Sequence, residues 1–256
     1  MEMLDPTMLL ILGIVAFAAG FIDAVAGGGG MLTVPALLSI GLPPHLALGT
    51  NKLSATFASS TAAFTYYKKR LFTPDFWYRS FIATLIGAIS GTLIINIIST
   101  AWLEKILPLI ILATAIYTIF NKTPKDTHNA LPPASKNIHK KQVLQGLSLG
   151  FYDGAIGPGT GAFWTVSNMA LYRMNILLAS GVSKAMNFTS NFTSLITFAI
   201  LGQINWALGL TMGLCLMAGA YVGAHSAIRF GAAFIRPVFI IVVSVMAIKL
   251  AYQAWF

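Results

Sequence analysis

One twelve-residue pattern occurs twice in this chain, and each copy sets an acid a few residues ahead of a cluster of glycines. The first copy reads Gly20-Phe21-Ile22-Asp23-Ala24-Val25-Ala26-Gly27-Gly28-Gly29-Gly30-Met31. The second reads Gly150-Phe151-Tyr152-Asp153-Gly154-Ala155-Ile156-Gly157-Pro158-Gly159-Thr160-Gly161. Glycine weakens a helix interior, so both copies mark places where an apolar helix breaks. A Gly-x-x-Lys follows each, Gly49 to Lys52 and Gly181 to Lys184. A break that recurs with the same flanking charges restricts the chain to a duplicated architecture, of the kind on which transporter cores are built.

The surroundings of the breaks are apolar enough to require lipid. Hydrophobic residues make up 57% of the chain and charged residues 9%, where a soluble domain carries about 25% charged residues. Runs of about 20 apolar residues are needed to cross a bilayer. Such runs are expected at 45–67, 77–98, 102–120, 177–200, 206–228 and 234–254. Two pairs of shorter segments, 8–26 with 31–40 and 142–156 with 162–171, flank the breaks. The first apolar stretch follows Glu2 and Asp5 and no Lys or Arg, so it is read as a retained membrane helix rather than a cleaved signal. The lone Cys215 rules out an intrachain disulfide and is read as core packing. The formal charge of +9 gathers in short loops, which points to membrane topology and not to nucleic acid.

The duplication extends beyond the signature. An offset of 132 carries Lys52 to Lys184, Gly87 to Gly219 and Gly91 to Gly223, while Asp23 and Asp153 stand 130 apart and Pro108 and Pro237 stand 129 apart. The expected division is a first membrane repeat over 1–120, a cytoplasmic linker over 121–141 and a second membrane repeat over 142–256. Lys68, Lys69, Arg70 and Arg79 form a basic loop in the first repeat, and the connection near Ser99 to Ala101 has none. The second repeat reverses this: Gly202 to Asn205 is uncharged, and Arg229 and Arg236 come in the next connection. Under the positive-inside rule the two repeats are then inverted, with both termini outside. The run from Met31 to Ile40 is about 15 Å long as a helix, half of the roughly 30 Å hydrocarbon core. Each break is therefore read as a re-entrant pair, one helix descending and a short one returning, followed by three transmembrane helices. The fold class is an all-α polytopic membrane protein.

Gly27, Gly28, Gly29 and Gly30, and Gly157, Gly159, Thr160 and Gly161, open the short helices. Helix N-termini there offer free N–H groups and a partial positive charge, suited to an anion; tight turns or close packing would account for glycines as well. Lys52 and Lys184 fall near the membrane middle, where a lysine marks a functional cavity and would hold the anion; snorkelling or an ion pair with Asp23 or Asp153 is the alternative. The two acids fit either proton coupling or constant counter-charge. Asn51 and Asn187 are candidate pathway residues, because a buried amide is costly without partners. Ser54, Thr56, Ser59, Ser60, Ser183, Thr189, Asn191 and Thr193 are polar on the same helices, and Ser and Thr there often bond back to their own backbone. His45 is read as interfacial and His225 as a packing residue. No histidine has metal-ligand spacing, and no metal or cofactor is expected.

With Pro35 and Gly49-Thr50-Asn51-Lys52 following the first signature, the chain resembles the TauE/SafE, or sulfite exporter, family of membrane transporters over nearly its whole length. The second copy departs where Ser183 stands for Asn51 and Pro158 for a glycine. The resemblance implies a secondary transporter for a small anion such as sulfite, sulfoacetate or a related sulfonate, in a cell membrane. The partners implied are that anion and the bilayer, and a homo-oligomer is compatible with the sequence. No nucleotide-binding motif is present, so the energy is expected from a proton or other ion. A passive anion channel, an intramembrane enzyme and a membrane assembly protein are the competing readings; the enzyme lacks an evident nucleophile–base pair or metal ligands.

Overall fold

Local capping explains where the helices begin. Pro44 and Pro74 open two of them, where a missing N–H costs nothing. Ser135, Asn175 and Asn205 cap three others, accepting from the amides of Ile138 (3.2 Å), Leu178 (2.8 Å) and Leu208 (3.1 Å). The structure is a computed structural model that describes residues 6–103 and 135–231, together with 105, 131, 233–235, 237 and 241. Eight helices of ten residues or more are described: α1 (Pro6–Ala26), α2 (Gly30–Ser39), α3 (Pro44–Lys68), α4 (Pro74–Ile97), α5 (Lys136–Ala155), α6 (Thr160–Tyr172), α7 (Ile176–Ile200) and α8 (Trp206–Phe230). Most of the expected spans 102–120 and 234–254, with Glu2, Asp5, Pro108 and Arg236, lies outside the described residues.

The linker is expected to run to residue 141, but α5 begins at Lys136. Ser135 caps a polar first turn that carries no apolar signal, so hydropathy places the helix start too late.

Polarity runs from inside to outside as lipid demands. Ile14, Ile86, Ile97, Ile196, Ile200 and Leu214 are exposed, while Lys52, Lys184, Asn51, Asn187 and a set of Ser and Thr are buried. By length and apolarity, Thr7–Ala26, Pro74–Ile97 and Trp206–Phe230 qualify as membrane spans. Helices α3 and α7 are equally long but too polar for that test, because they line the interior with amides, hydroxyls and lysines. The chain is a polytopic helical membrane protein.

The halves interlock through glycine. Helix α1 packs along α8, and α5 along α4, so the first helix of each half lies on the fourth helix of the other. A Cβ on Gly219 would sit 2.0 Å from the Phe17 carbonyl oxygen, and one on Gly91 would sit 2.1 Å from that of Phe151. The Gly-x-x-x-Gly pairs therefore serve close helix contact, and their partners are the two broken helices.

Side-chain pairings give the helix directions. Leu53 lies over Gly209 and Phe57 over Gly213, so α3 and α8 run the same way. Gly146 meets Ala83 and Gly154 meets Ala88, so α4 and α5 do too. His45 Nε2 lies 3.1 Å from the Ile95 oxygen, placing the start of α3 at the end of α4. Gly49 meets Gln203 and Gly181 meets Leu71, so α3 and α7 are antiparallel. One end of the molecule thus gathers loops 40–43, 98–101 and 201–205, which have no Lys or Arg. The other gathers Lys68, Lys69, Arg70, Arg79, Lys136, Lys140, Lys141, Arg173 and Arg229.

Candidate functional site

The two glycine breaks touch. Gly27, at φ +82°, ends α1 and turns its carbonyl to accept from the Ala162 amide at 3.1 Å. A Cβ on Gly27 would fall 2.3 Å from the Gly161 carbonyl carbon, so no other residue allows this approach. Helix α2 then returns toward the end where α1 began, and α6 returns toward the start of α5, where Tyr172 packs edge-on against Trp77. Each pair folds back on itself, and the two meet at their tips.

A buried cavity of about 20 Å³ lies at that meeting, room for roughly one water molecule. Asp23, Gly27, Gly29, Gly30, Asn51, Asp153, Gly157, Gly159, Thr160, Gly161 and Asn187 all line it. Gly28, Lys52 and Lys184 are the candidates that do not. Among the described residues, the amides of Gly30, Gly159 and Gly161 make no hydrogen bond, and they stand at the N-terminal ends of α2 and α6. The side-chain oxygen of Asn187 is buried in the same place without a partner.

The lysines reach across between halves. Each is the ninth residue of its helix, counting from Pro44 and from Ile176. Lys52 Nζ donates to the Asp153 carbonyl and to its carboxylate at 2.8 Å, and to Asn191 Oδ1 at 3.3 Å. Lys184 Nζ donates to the Asp23 carbonyl. Each ammonium therefore caps the C-terminal turn of the broken helix in the opposite half, where free carbonyls gather partial negative charge.

The two acids are held differently. The Asp153 carboxylate accepts from Lys52, from the Thr160 hydroxyl at 3.2 Å and from the Ser190 hydroxyl. Asp23 accepts one bond, from the Gly29 amide at 3.2 Å. Among the described residues the ion pair is Lys52 with Asp153. At matching offsets, Thr160 becomes Gly30 and Ser190 becomes Ala58, so the first copy lacks the donors the second supplies.

Thr33 and Ser190 escaped the sequence reading. Thr33 donates to Asn51 Oδ1 at 2.5 Å, and it matches Thr165 at the 132 offset, a signal that was available. Ser190 has no counterpart in the first copy, yet Asn187, Ser190 and Asn191 fall at helical spacing on one face. Thr56 and Thr189 bond back to the carbonyls of Lys52 and Ala185, away from the cavity. Cys215 lies against Gly13. His225 is exposed against Tyr221, so it does not pack in the interior. No cluster of three or more metal-ligating side chains occurs among the described residues.

Two broken helices meeting at a polar, buried cavity inside a lipid-facing shell define a membrane transporter. The profile described as Sulfite exporter TauE/SafE matches residues 12–250, and the chain belongs to that family. It is 40% identical to a "Probable membrane transporter protein" of Haemophilus influenzae over 97% of both chains. It is 36% identical to "Probable membrane transporter protein ORF9" of a Sinorhizobium species, over 95% of this chain and 92% of that one. It is 32% identical to "Probable membrane transporter protein YfcA" of Escherichia coli, over 98% of this chain and 93% of the other. No solved structure matches.

Proposed function

We infer that the protein is a secondary transporter for a small anion containing sulfur, such as sulfite, sulfoacetate or a related sulfonate. The observation that carries this reading is the meeting of two helix N-termini at one cavity, lined by Gly30, Gly159 and Gly161, whose amides make no hydrogen bond. Amides so placed bind an anion through hydrogen bonds and the helix dipole. The family description, Sulfite exporter TauE/SafE, supports the sulfur chemistry.

Alternating access follows from the size of the cavity. At about 20 Å³ it has room for roughly one water molecule and not for such an anion, so on this reading the anion is admitted when the Gly27–Ala162 contact opens. Supporting an inverted repeat, α1, α3 and α4 run opposite to their counterparts α5, α7 and α8. The segregation of Lys and Arg supports a cytoplasmic basic end, with both termini outside. Asn51 and Asn187 orient the anion, and Lys52 and Lys184 hold the two broken helices in register beside it.

Counterflow in proteoliposomes tests the reading. Vesicles preloaded with sulfite, sulfoacetate or taurine should take up the labelled compound transiently above equilibrium for at least one of the three. Flux that is linear in the gradient and never overshoots would establish a channel in its place.

A further inference from the structure

The duplication has diverged at its two acids, and the divergence divides their work. We propose that Asp23 binds the coupling cation, a proton or Na⁺, and that Asp153 is a fixed counter-charge for Lys52; this rests on the transporter reading above.

Asp153 is fully engaged. It is 2% exposed, and three side-chain donors from α3, α6 and α7 converge on its carboxylate. A cation bound there would have to displace the Lys52 ammonium. Asp23 is half-buried, lines the cavity and accepts from a single amide, so its carboxylate has acceptor capacity to spare. The Asn187 side-chain oxygen, on residue 187 at 4% exposure, is a second acceptor without a donor in the same cavity. Two acceptor oxygens without donors are satisfied by a small positive species. The substrate's own donors are instead the amides of the returning helices.

The charged surroundings of Asp23 are few. Helix α7 contributes Lys184, whose ammonium is bound to the Asp23 carbonyl and also attracts the Asp23 carboxylate. Helix α3 contributes Tyr66, which donates to the Ala24 carbonyl at 3.3 Å, and Lys52, which is held by Asp153. Helix α5 contributes Asp153 across the cavity. Helices α2, α6 and α8 bring glycines, Thr33, Thr160 and Leu216 to the cavity and no ionisable group; Cys215 of α8 lies farther back, at Gly13. A proton taken by Asp23 from one aqueous side and released to the other leaves the Lys52–Asp153 pair unchanged, and a Na⁺ bound and released does the same.

Two measurements on the purified full-length chain test this. In proteoliposomes with a pH or Na⁺ gradient of either sign, wild type should concentrate the sulfur anion that it exchanges. Asp23→Asn, which keeps an acceptor for the Gly29 amide, should retain measurable counterflow and lose concentrative uptake. The gradient that drives wild type identifies the cation. Concentrative uptake by Asp23→Asn overturns the proposal, as does its loss of all counterflow; absence of counterflow by wild type contradicts the transporter reading instead. Independently of any substrate, the melting temperature of wild type should shift with Na⁺ or pH. The Asp23→Asn curve should lose that shift and Asp153→Asn should retain it from a lower starting point. Parallel curves for Asp23→Asn and wild type overturn the assignment.

Discussion

Lys52 of the first half and Asp153 of the second form a 2.8 Å ion pair in which both side chains are at most 3% exposed. Removing one partner of such a pair leaves a bare charge in the interior, at a cost of about 3–5 kcal/mol. Lys52→Met and Asp153→Asn should each melt well below wild type in detergent, and Lys52→Met/Asp153→Leu should recover a large part of the loss. Single variants that melt with wild type would show that the pair does not hold the halves together.

Lys184 offers a contrast within the same molecule. Its ammonium donates to the Asp23 carbonyl, which also accepts from the Gly27 amide at 2.9 Å, so Lys184→Met removes one charge-assisted bond and leaves that acceptor with a partner. That costs about 1–3 kcal/mol, less than the matching change at Lys52. Equal destabilisation by Lys52→Met and Lys184→Met, read from the same melting curves, would contradict the asymmetry.

The tips of the two folded-back pairs tolerate no side chain. Gly27→Ala places a Cβ 2.3 Å from the Gly161 backbone, whereas Gly41, with a similar φ of +86°, has nothing within 4 Å of a Cβ. Gly41→Ala should cost only the left-handed penalty of about 1–2 kcal/mol and leave transport intact. Gly27→Ala should abolish transport and force the halves apart. Matching transport rates in the two variants would separate the Gly27–Gly161 contact from function.

Much of this was legible in the chain. The helix bounds at α3 and α7 fall within a residue of the apolar runs, because Pro44 and Asn175 announce the starts. The two helix breaks were legible as well, since each glycine cluster separates a long apolar run from a short one. What the chain did not disclose is which lysine meets which acid. That pairing joins residues 101 positions apart through the packing of α1 on α8 and of α5 on α4, and local pattern carries no record of it. The unequal treatment of Asp23 and Asp153 was present in the sequence, as Gly30 for Thr160 and Ala58 for Ser190. It had no meaning until the structure showed those hydroxyls on one carboxylate.

The basic end of the molecule should be cytoplasmic. In a Cys215→Ala background, Lys69→Cys and Thr100→Cys stand at opposite ends, both exposed. An impermeant thiol reagent applied to intact cells should label residue 100 and leave residue 69 unlabelled until the cells are opened. The reverse pattern would invert the topology.

The central claim is that an anion binds where the two breaks meet. Selenite has the shape and charge of sulfite and scatters anomalously, so diffraction from crystals grown with it locates the site directly. The account expects an anomalous peak within hydrogen-bond distance of the amides of Gly30, Gly159 and Gly161, with the Gly27–Ala162 contact opened to admit it. A selenite peak at another position in protein that transports sulfite, with this cavity still closed, would contradict it.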